Sequence, residues 1–309
     1  MVAFCVVWVR PAPGSMPVIV LLNSPALLAS CSSGSGGGES EAGGEKKVTL
    51  GAVQGWTDMT STTAVLKVVL EKNGYTVDVT KVSDNTPLYA GLESNKINVL
   101  SSSWMERTHK DYWIRYGNKI DDVGVWYQGA QNFLAVPDYV DVKSIPELAS
   151  HAAEFNNTIT GIEPGAGLTQ TTQKAVIPAY GLQDLKLVTS STAAMLTELK
   201  TKIEKKEPIV VTLWKPFWAN QTFPVRPLED PKTVYKPENL HTVANKEFAS
   251  ANPKVVEMLA AFKMTDEQFA SLENTVVNEY GQDKEDEAAK AWLEKNPDFE
   301  AALSKALTG

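Results

Sequence analysis

The sequence predicts an α/β protein whose two lobes enclose a hinged cleft. Segments typical of strands and helices alternate from residue 46 onward, and a second series of the same make follows from residue 144. The chain crosses between the two series twice, which is how a hinged cleft is made. With 309 residues, it is long enough for two medium-sized units that each bury a core.

The amino terminus has the anatomy of an export signal. Residues 1–30 are predicted to be a signal peptide, because their apolar run MPVIVLLNSPALL is too short and too interrupted for a membrane span. The stretch LLASC resembles the bacterial lipobox, so Cys31 is expected to carry a lipid anchor. An ordinary secreted protein with an incidental cysteine is the alternative. Residues 31–45, rich in Gly and Ser, are predicted to form a flexible tether.

Composition excludes several classes of function. The net charge of -8 and the lack of clustered Lys and Arg argue against a nucleic-acid partner. Both cysteines, Cys5 and Cys31, precede residue 32, so the folded body has no disulfide or Cys-ligated metal. We expect no cofactor and no metal.

The first series forms a βαβ unit that is then extended. KVTLGAV is a strand, STTAVLKVVLEKNG an amphipathic helix with a glycine stop, and YTVDVTKV a strand. TPLYAGLESNK follows as a helix and INVLSSSW as a strand of the same parallel sheet. Ligands of such sheets gather at the carboxyl ends of the strands.

The second series starts after the crossing strand GAQNFLAVPDYV. Its segments are, in order, SIPELASHAAEF, NTITGIEP, the helix GLTQTTQKAVIPAYG, LKLVTSS, the helix TAAMLTELKTKIEKK, and EPIVVTLW. A proline-rich loop, the strand HTVANKEF and helices to the carboxyl terminus then complete the first lobe. The predicted limits are 46–132 and 237–309 for the first lobe and 133–236 for the second.

Three tryptophans, Trp56, Trp104 and Trp214, stand at or near the ends of strand-like runs. Taken singly, each is more simply a core residue, because large aromatic side chains mostly pack. Two in one lobe and one in the other predict an aromatic box that faces the cleft. Such a box suits a quaternary ammonium group, which has no N–H to donate and is attracted by ring faces.

Two further elements predict a seat for an anion beside the box. In TGIEPGAGLTQ, the glycines let the chain turn sharply, and the N–H groups of Gly167 and Leu168 open a helix whose dipole favours a carboxylate. His109 follows Trp104 by five residues and could donate a hydrogen bond to the same carboxylate. A plain loop and a solvated histidine are the simpler interpretations of these elements taken alone.

The stretches VQGWTD, SSSWMERTH, GIEPGAGLTQ and VVTLWKPFW resemble those of glycine-betaine-binding proteins of ABC-type importers. The resemblance covers the body from Lys46 and implies the type II periplasmic-binding-protein fold. It also implies a monomer, anchored to the outer face of the cell membrane, that serves an ABC permease and ATPase. Its ligand residues fall on Trp56, Trp104 and Trp214 for the trimethylammonium group, and on Gly167, Leu168 and His109 for the carboxylate.

The resemblance leaves the ligand open among related compounds. A choline-binding branch of the family is similar around GWTD, where an acidic residue matching Asp58 approaches the ligand, but that branch lacks the histidine. His109 therefore favours a betaine, with choline or carnitine as the alternative. Many relatives have His where this chain has Phe217, which affects the lining of the cleft more than the cage.

Two other functions are less well supported. A hydrolase would need a nucleophile elbow, yet no G-x-S-x-G occurs, and the three histidines show no metal-binding spacing. We therefore expect no catalysis. A lipid-anchored sensory protein would present the same lobes to a receptor and remains an alternative.

Overall fold

One mixed sheet of nine strands runs through residues 46–309, the part of the chain that the computed structural model describes. The predicted signal peptide, Cys31 and tether lie outside these residues. The strands are β1 (Lys47–Val53), β2 (Thr76–Val82), β3 (Val99–Ser103), β4 (Ile120–Pro137), β5 (Thr158–Thr160), β6 (Lys186–Val188), β7 (Val211–Lys215), β8 (Val225–Pro227) and β9 (Glu238–Asn245). Their order is β2-β1-β3-β9-β4-β7-β5-β6, and β8 pairs with β4.

Helices connect most of these strands. They are α1 (Thr57–Lys72), α2 (Asn85–Glu93), α3 (Lys110–Tyr116), α4 (Gly167–Thr171), α5 (Ile177–Tyr180), α6 (Thr192–Lys205), α7 (Ala219–Thr222), α8 (Lys246–Ala251), α9 (Pro253–Ala261), α10 (Asp266–Asn274), α11 (Glu285–Lys295) and α12 (Pro297–Thr308). A π-helical turn joins α4 to α5, and the helix is therefore continuous over residues 167–180. No described helix is both long and apolar enough to span a membrane.

The βαβ unit forms as predicted. β1 pairs in parallel with β2 along its whole length and with β3 on its other side. Val48, Leu50 and Ala52 of β1 are buried, and the first turn of α1 is buried too, although it is polar. The carboxyl ends of β1 and β3 consequently meet at one edge of the sheet, where Trp56 and Trp104 follow them.

Strand β4 joins the two halves of the sheet. It pairs with β9 up to Ala130 and with β7 from Gln131 onward, antiparallel in both cases. We call the half with β1, β2, β3 and β9 the first lobe, together with the helices after β9, and the half with β5 to β8 the second lobe. β4 begins nine residues before the predicted Gly129, because three register shifts against β9 remove the alternation that marks a strand.

The carboxyl-terminal segment is divided differently from the prediction. The strand predicted to start at His241 starts at Glu238, and α8 takes over at Lys246. The stretch predicted as one amphipathic helix is two, α11 and α12, separated at Asn296, since the following Pro297 opens a new helix. Trp292 is buried in the core as expected.

Candidate functional site

A narrow cavity of about 30 Å³ lies between the two lobes. All seven residues predicted to bind the ligand line it: Trp56, Asp58, Trp104, His109, Gly167, Leu168 and Trp214. Four further residues complete the lining: Thr108, Asn132, Ile162 and Ala166. The structure thus brings together segments that are as much as 158 residues apart in sequence, from Trp56 to Trp214.

The three indoles are buried walls of this cavity. Trp56 precedes α1, Trp104 follows β3, and Trp214 lies in β7 of the opposite lobe. The ring centroids of Trp56 and Trp214 are 6.5 Å apart with planes inclined by 62°. One cation can therefore lie within about 6 Å of both centroids, which is the reach of a cation–π contact.

Asp58 places a carboxylate among these rings. It lies in the first turn of α1, is 2% exposed, and its Oδ2 accepts hydrogen bonds from Ser102 Oγ (2.9 Å) and Trp104 Nε1 (3.3 Å). Burial raises the pKa of Asp58 to about 6, although hydrogen bonds from Ser102, Trp104 and Trp214 lower it in part. The carboxylate thus holds the Trp104 indole by its N–H group.

His109 is buried rather than exposed in a loop. The Trp104 backbone N–H points at its Nδ1 (3.3 Å), which is therefore an acceptor, and Nε2 faces the side-chain amide of Asn85 at 2.9 Å. Burial lowers the pKa of His109 to about 3, so the ring is neutral and carries its proton on Nε2. With the Asn85 amide oxygen turned towards it, this proton has an acceptor, and that oxygen is otherwise unpartnered within the described chain.

The glycine loop of the second lobe touches the first lobe directly. Gly165 donates its N–H to Asp84 Oδ2 (2.8 Å), and its carbonyl accepts from Tyr112 Oη (2.9 Å). A Cβ at Gly165 would overlap the Asp84 carboxylate, and one at Gly167 would overlap the backbone carbonyl of Thr108. The glycines therefore allow close approach of the lobes, and neither has a positive φ of the kind that only glycine adopts readily.

The loop that carries Thr108 and His109 is fixed by Glu238 at the start of β9. Glu238 accepts hydrogen bonds from the N–H groups of Arg107 and Thr108, both at 3.0 Å, and from the Thr108 hydroxyl. Asn132 Nδ2 donates to the same hydroxyl at 2.8 Å. Burial raises the pKa of Glu238 to about 7. These contacts hold the loop at the point where the chain passes between the lobes.

Sequence reasoning missed several of these residues. Thr108 and Ile162 lie inside stretches that were singled out, where adjacency to His109 and to the glycine loop was an available signal. Asn132 and Glu238 carry no such signal, because only the fold brings β4 and β9 to the cavity. Phe217 stacks on Trp214 with ring centroids 4.0 Å apart and does not line the cavity.

Comparisons with known proteins agree with this architecture. Residues 46–295 match the family described as the substrate-binding domain of ABC-type glycine betaine transport systems. The chain is 43% identical over 148 residues to the glycine betaine/carnitine transport binding protein GbuC of Listeria monocytogenes, a match covering 47% of this chain and 48% of that protein. The match thus spans about half of that relative's length.

Solved structures extend the likeness to the whole body. The glycine betaine, L-proline-binding protein ProX of Borrelia burgdorferi has a TM-score of 0.78 at 32% identity, covering 84% of this chain and 99% of that one. A choline-binding protein of an ABC transporter in complex with choline has a TM-score of 0.75 at 26% identity, covering 85% and 98%. The predicted type II periplasmic-binding-protein fold with two lobes is confirmed.

A match over 250 of 309 residues, on a fold with two lobes and a cavity between them, is sufficient to assign the family. The assignment agrees with the resemblance found in the sequence, and it is to a class of transport proteins rather than of enzymes. This chain belongs to the family of substrate-binding domains of ABC-type glycine betaine transport systems.

Proposed function

We propose that this protein captures glycine betaine, or a related betaine, in a tryptophan cage between its lobes and delivers it to an ABC permease. The observation that carries the proposal is the meeting of Trp56, Trp104 and Trp214, from both lobes, around one cavity that also contains Asp58. The family assignment supports the transport role.

The chemistry of the lining suits a quaternary ammonium group. No Lys or Arg is among the eleven lining residues, and His109 is neutral, so the cavity contains no positive charge of its own. An N-methylated cation cannot use hydrogen-bond acceptors, but ring faces and the Asp58 carboxylate both attract it. Each desolvated cation–π contact contributes about 2 kcal/mol, so three rings supply about 6 kcal/mol. Micromolar binding corresponds to roughly 8 kcal/mol, and the Asp58 carboxylate and the contacts to the other end of the ligand would supply the remainder.

The carboxylate end of a betaine would lie against the second lobe. Gly167 and Leu168 are the first residues of the continuous helix over 167–180, where N–H groups lack partners within the helix and the dipole favours an anion. His109 would supply its Nε2 proton, which now faces Asn85. Both contacts remain predictions for this chain.

Choline or carnitine is the second candidate, and Asp58 favours choline in particular. A buried carboxylate beside the rings attracts any cation, including one without a carboxylate of its own. A protein similar to this chain is named for glycine betaine and carnitine, and a similar solved structure contains choline, which supports this candidate. The neutral donors for a carboxylate are what favours a betaine.

We further propose the organisation that the sequence predicted. Residues 1–30 form a signal peptide, Cys31 carries the lipid anchor, and residues 31–45 tether the body to the outer face of the cell membrane. The lobes, 46–132 with 237–309 and 133–236, form a monomer. The change of partner in β4 between Ala130 and Gln131, and the start of β9 at Glu238, support these limits.

Transport would follow from closure. Ligand held by the first lobe gains the contacts of the second, and the closed form gains population by the difference in affinity between the two forms. The permease would then recognise the closed, loaded protein.

Calorimetric titration of the mature protein with glycine betaine, proline betaine, carnitine, choline and proline tests the proposal. We expect micromolar binding of at least one betaine and none of proline, which lacks N-methyl groups. Trp104→Ala is expected to weaken betaine binding at least about tenfold, because one wall of the cage is lost.

Trp104→Phe is the matched control, since it keeps an aromatic face but loses the indole N–H that Asp58 accepts. Its affinity should lie between those of the parent and of Trp104→Ala. An unchanged titration curve for Trp104→Ala would count against the cage, and lack of binding to all five compounds would contradict the proposed ligand class.

A further inference from the structure

The carboxylate of Glu163 lies behind one wall of the cavity and does not line it. It is 6% exposed and lies in the second lobe, between β5 and the glycine loop. Its Oε2 accepts a hydrogen bond from Trp56 Nε1 at 3.0 Å. Thr192, at the start of α6, holds the carboxylate with its backbone N–H (2.7 Å) and its hydroxyl (2.8 Å).

The Trp56 indole differs from its neighbour Trp104 in where its N–H is bound. Trp104 donates to Asp58 of its own lobe, whereas both acceptors of the Trp56 N–H, Glu163 and the Thr192 hydroxyl at 3.1 Å, belong to the opposite lobe. The hydrogen bond of Trp56 therefore forms only when the two lobes meet. Glu163 keeps its contacts with Thr192 within the second lobe and is in place before closure.

We propose that Glu163 is a positioning residue that fixes the Trp56 ring as the lobes close, and so couples assembly of the cage to closure. This inference rests on the proposed function, because it needs a ligand that the cage encloses. A hydrogen bond from the indole N–H to a buried carboxylate fixes the orientation of the Trp56 ring. The same ring stacks against His109, with the two ring centroids 6.5 Å apart.

The charge of Glu163 has a second consequence. A carboxylate behind the indole N–H draws the proton towards it and leaves the ring face more negative, which strengthens its attraction for a cation. Asp58 accepts from the Trp104 indole N–H in the same way, so two of the three cage indoles, Trp56 and Trp104, have a buried carboxylate as their partner. The cage is thereby built to accept positive charge.

Binding of glycine betaine to Glu163→Ala, Glu163→Gln and the parent protein tests the proposal. Loss of a charge-assisted hydrogen bond should weaken binding about tenfold in Glu163→Ala, while Glu163→Gln, which keeps an acceptor, should stay within about threefold of the parent. Glu198→Ala, which removes an exposed carboxylate from α6 of the same lobe, is the matched control and should bind like the parent.

Nuclear magnetic resonance of the indole N–H groups separates positioning from a merely structural role. The Trp56 Nε1–H resonance, assigned by its loss in Trp56→Phe, should shift downfield on ligand binding in the parent and much less in Glu163→Ala. In a double-mutant cycle, Trp56→Phe and Glu163→Ala should be non-additive, because each removes the same hydrogen bond.

The outcomes are distinct. If the parent binds a betaine and Glu163→Ala binds it equally well, or the two substitutions are additive, Glu163 does not act through Trp56. If Glu163→Ala does not fold, the parent and Glu163→Gln still test the proposal, since a Trp56 Nε1–H resonance that does not shift on ligand binding in the parent overturns it. If the parent binds no quaternary ammonium compound, the proposed function fails instead.

Discussion

On the first-lobe side of the cleft, the cavity wall consists of side chains whose polar groups are largely bound within their own lobe. Asp58 is held by Ser102 and His109 by Tyr89. On the second-lobe side, backbone groups of the glycine loop contact the first lobe directly. Gly165 binds the first lobe through its own N–H and carbonyl, and Gly167 lies against the Thr108 carbonyl.

This difference suggests a division of roles. Most of the polar network of the first lobe does not depend on the second lobe, the Trp56 N–H being the exception, whereas the contacts of the glycine loop join the two lobes. Ligand would bind first to the first lobe and recruit the second. Closure of the lobes should therefore be most sensitive to the backbone of the glycine loop, and ligand selectivity to the side chains opposite.

The largest loss of affinity is expected from Gly167→Ala, which should prevent the lobes from closing without changing the fold of either lobe. Ala keeps the N–H and favours a helix, so the open protein should be as stable as the parent or slightly more so. The added Cβ meets the Thr108 backbone, which cannot move aside as a side chain can, so affinity for betaine should fall roughly 100-fold. Small-angle X-ray scattering should show compaction on ligand addition in the parent but not in this variant.

Gly165→Ala is a milder variant for comparison with Gly167→Ala, because its Cβ would meet the Asp84 side chain, which can rotate away. A smaller loss is expected there. Full compaction and parental affinity in Gly167→Ala would show that the lobes close without the contact between Gly167 and Thr108.

The features of the first lobe were easier to predict from sequence than the contacts of the glycine loop. Trp56 and Trp104 were identifiable because each follows a strand of the predicted parallel sheet, so their convergence depends only on local pattern and sheet topology. The use of Gly165 and Gly167 for close approach was not predictable, because it depends on Asp84 and Thr108 of the other lobe. The sequence indicated only that the loop turns.

Glu163 and the first part of β4 show the two causes of failure. Glu163 stands in a stretch that was singled out, yet its partner Trp56 is 107 residues away in the other lobe, and no pattern in sequence encodes that pairing. In β4, Gly124 and Gly129 have positive φ and the pairing with β9 shifts repeatedly, so the alternation of exposed and buried residues is lost. Sequence patterns do not predict structure where irregular strand register or packing between the lobes determines the contacts of a residue.

His109→Ala should have a smaller effect, and it tests whether first-lobe side chains determine ligand selectivity. If the Nε2 proton of His109 serves a ligand carboxylate, betaine affinity should fall about tenfold, while choline affinity changes by less than about threefold. Calorimetry with both ligands measures the difference. His109→Gln, which keeps a side-chain donor, should recover part of the betaine affinity. Equal losses for both ligands would mean that His109 only packs against Trp56.

The smallest effect concerns Asp58 and pH. Because burial raises the pKa of Asp58 to about 6, the carboxyl takes up a proton as the pH falls through that value, and the neutral group no longer attracts a cation. Choline affinity should therefore be highest above pH 7 and fall about fourfold by pH 5.5, in proportion to the ionised fraction. His109, with a pKa of about 3, does not titrate in this range.

Asp58→Asn supplies the control for this prediction, because it removes the titrating group and keeps the side chain near its original size. Glu238 and Glu273, whose pKa values burial raises to about 7 and about 8, titrate nearby and remain in the variant. A profile that becomes flat in Asp58→Asn assigns the pH dependence to Asp58. A profile that declines equally in both proteins assigns the pH dependence to another buried carboxyl group, such as Glu238 or Glu273, and the charge of Asp58 would then not govern choline affinity.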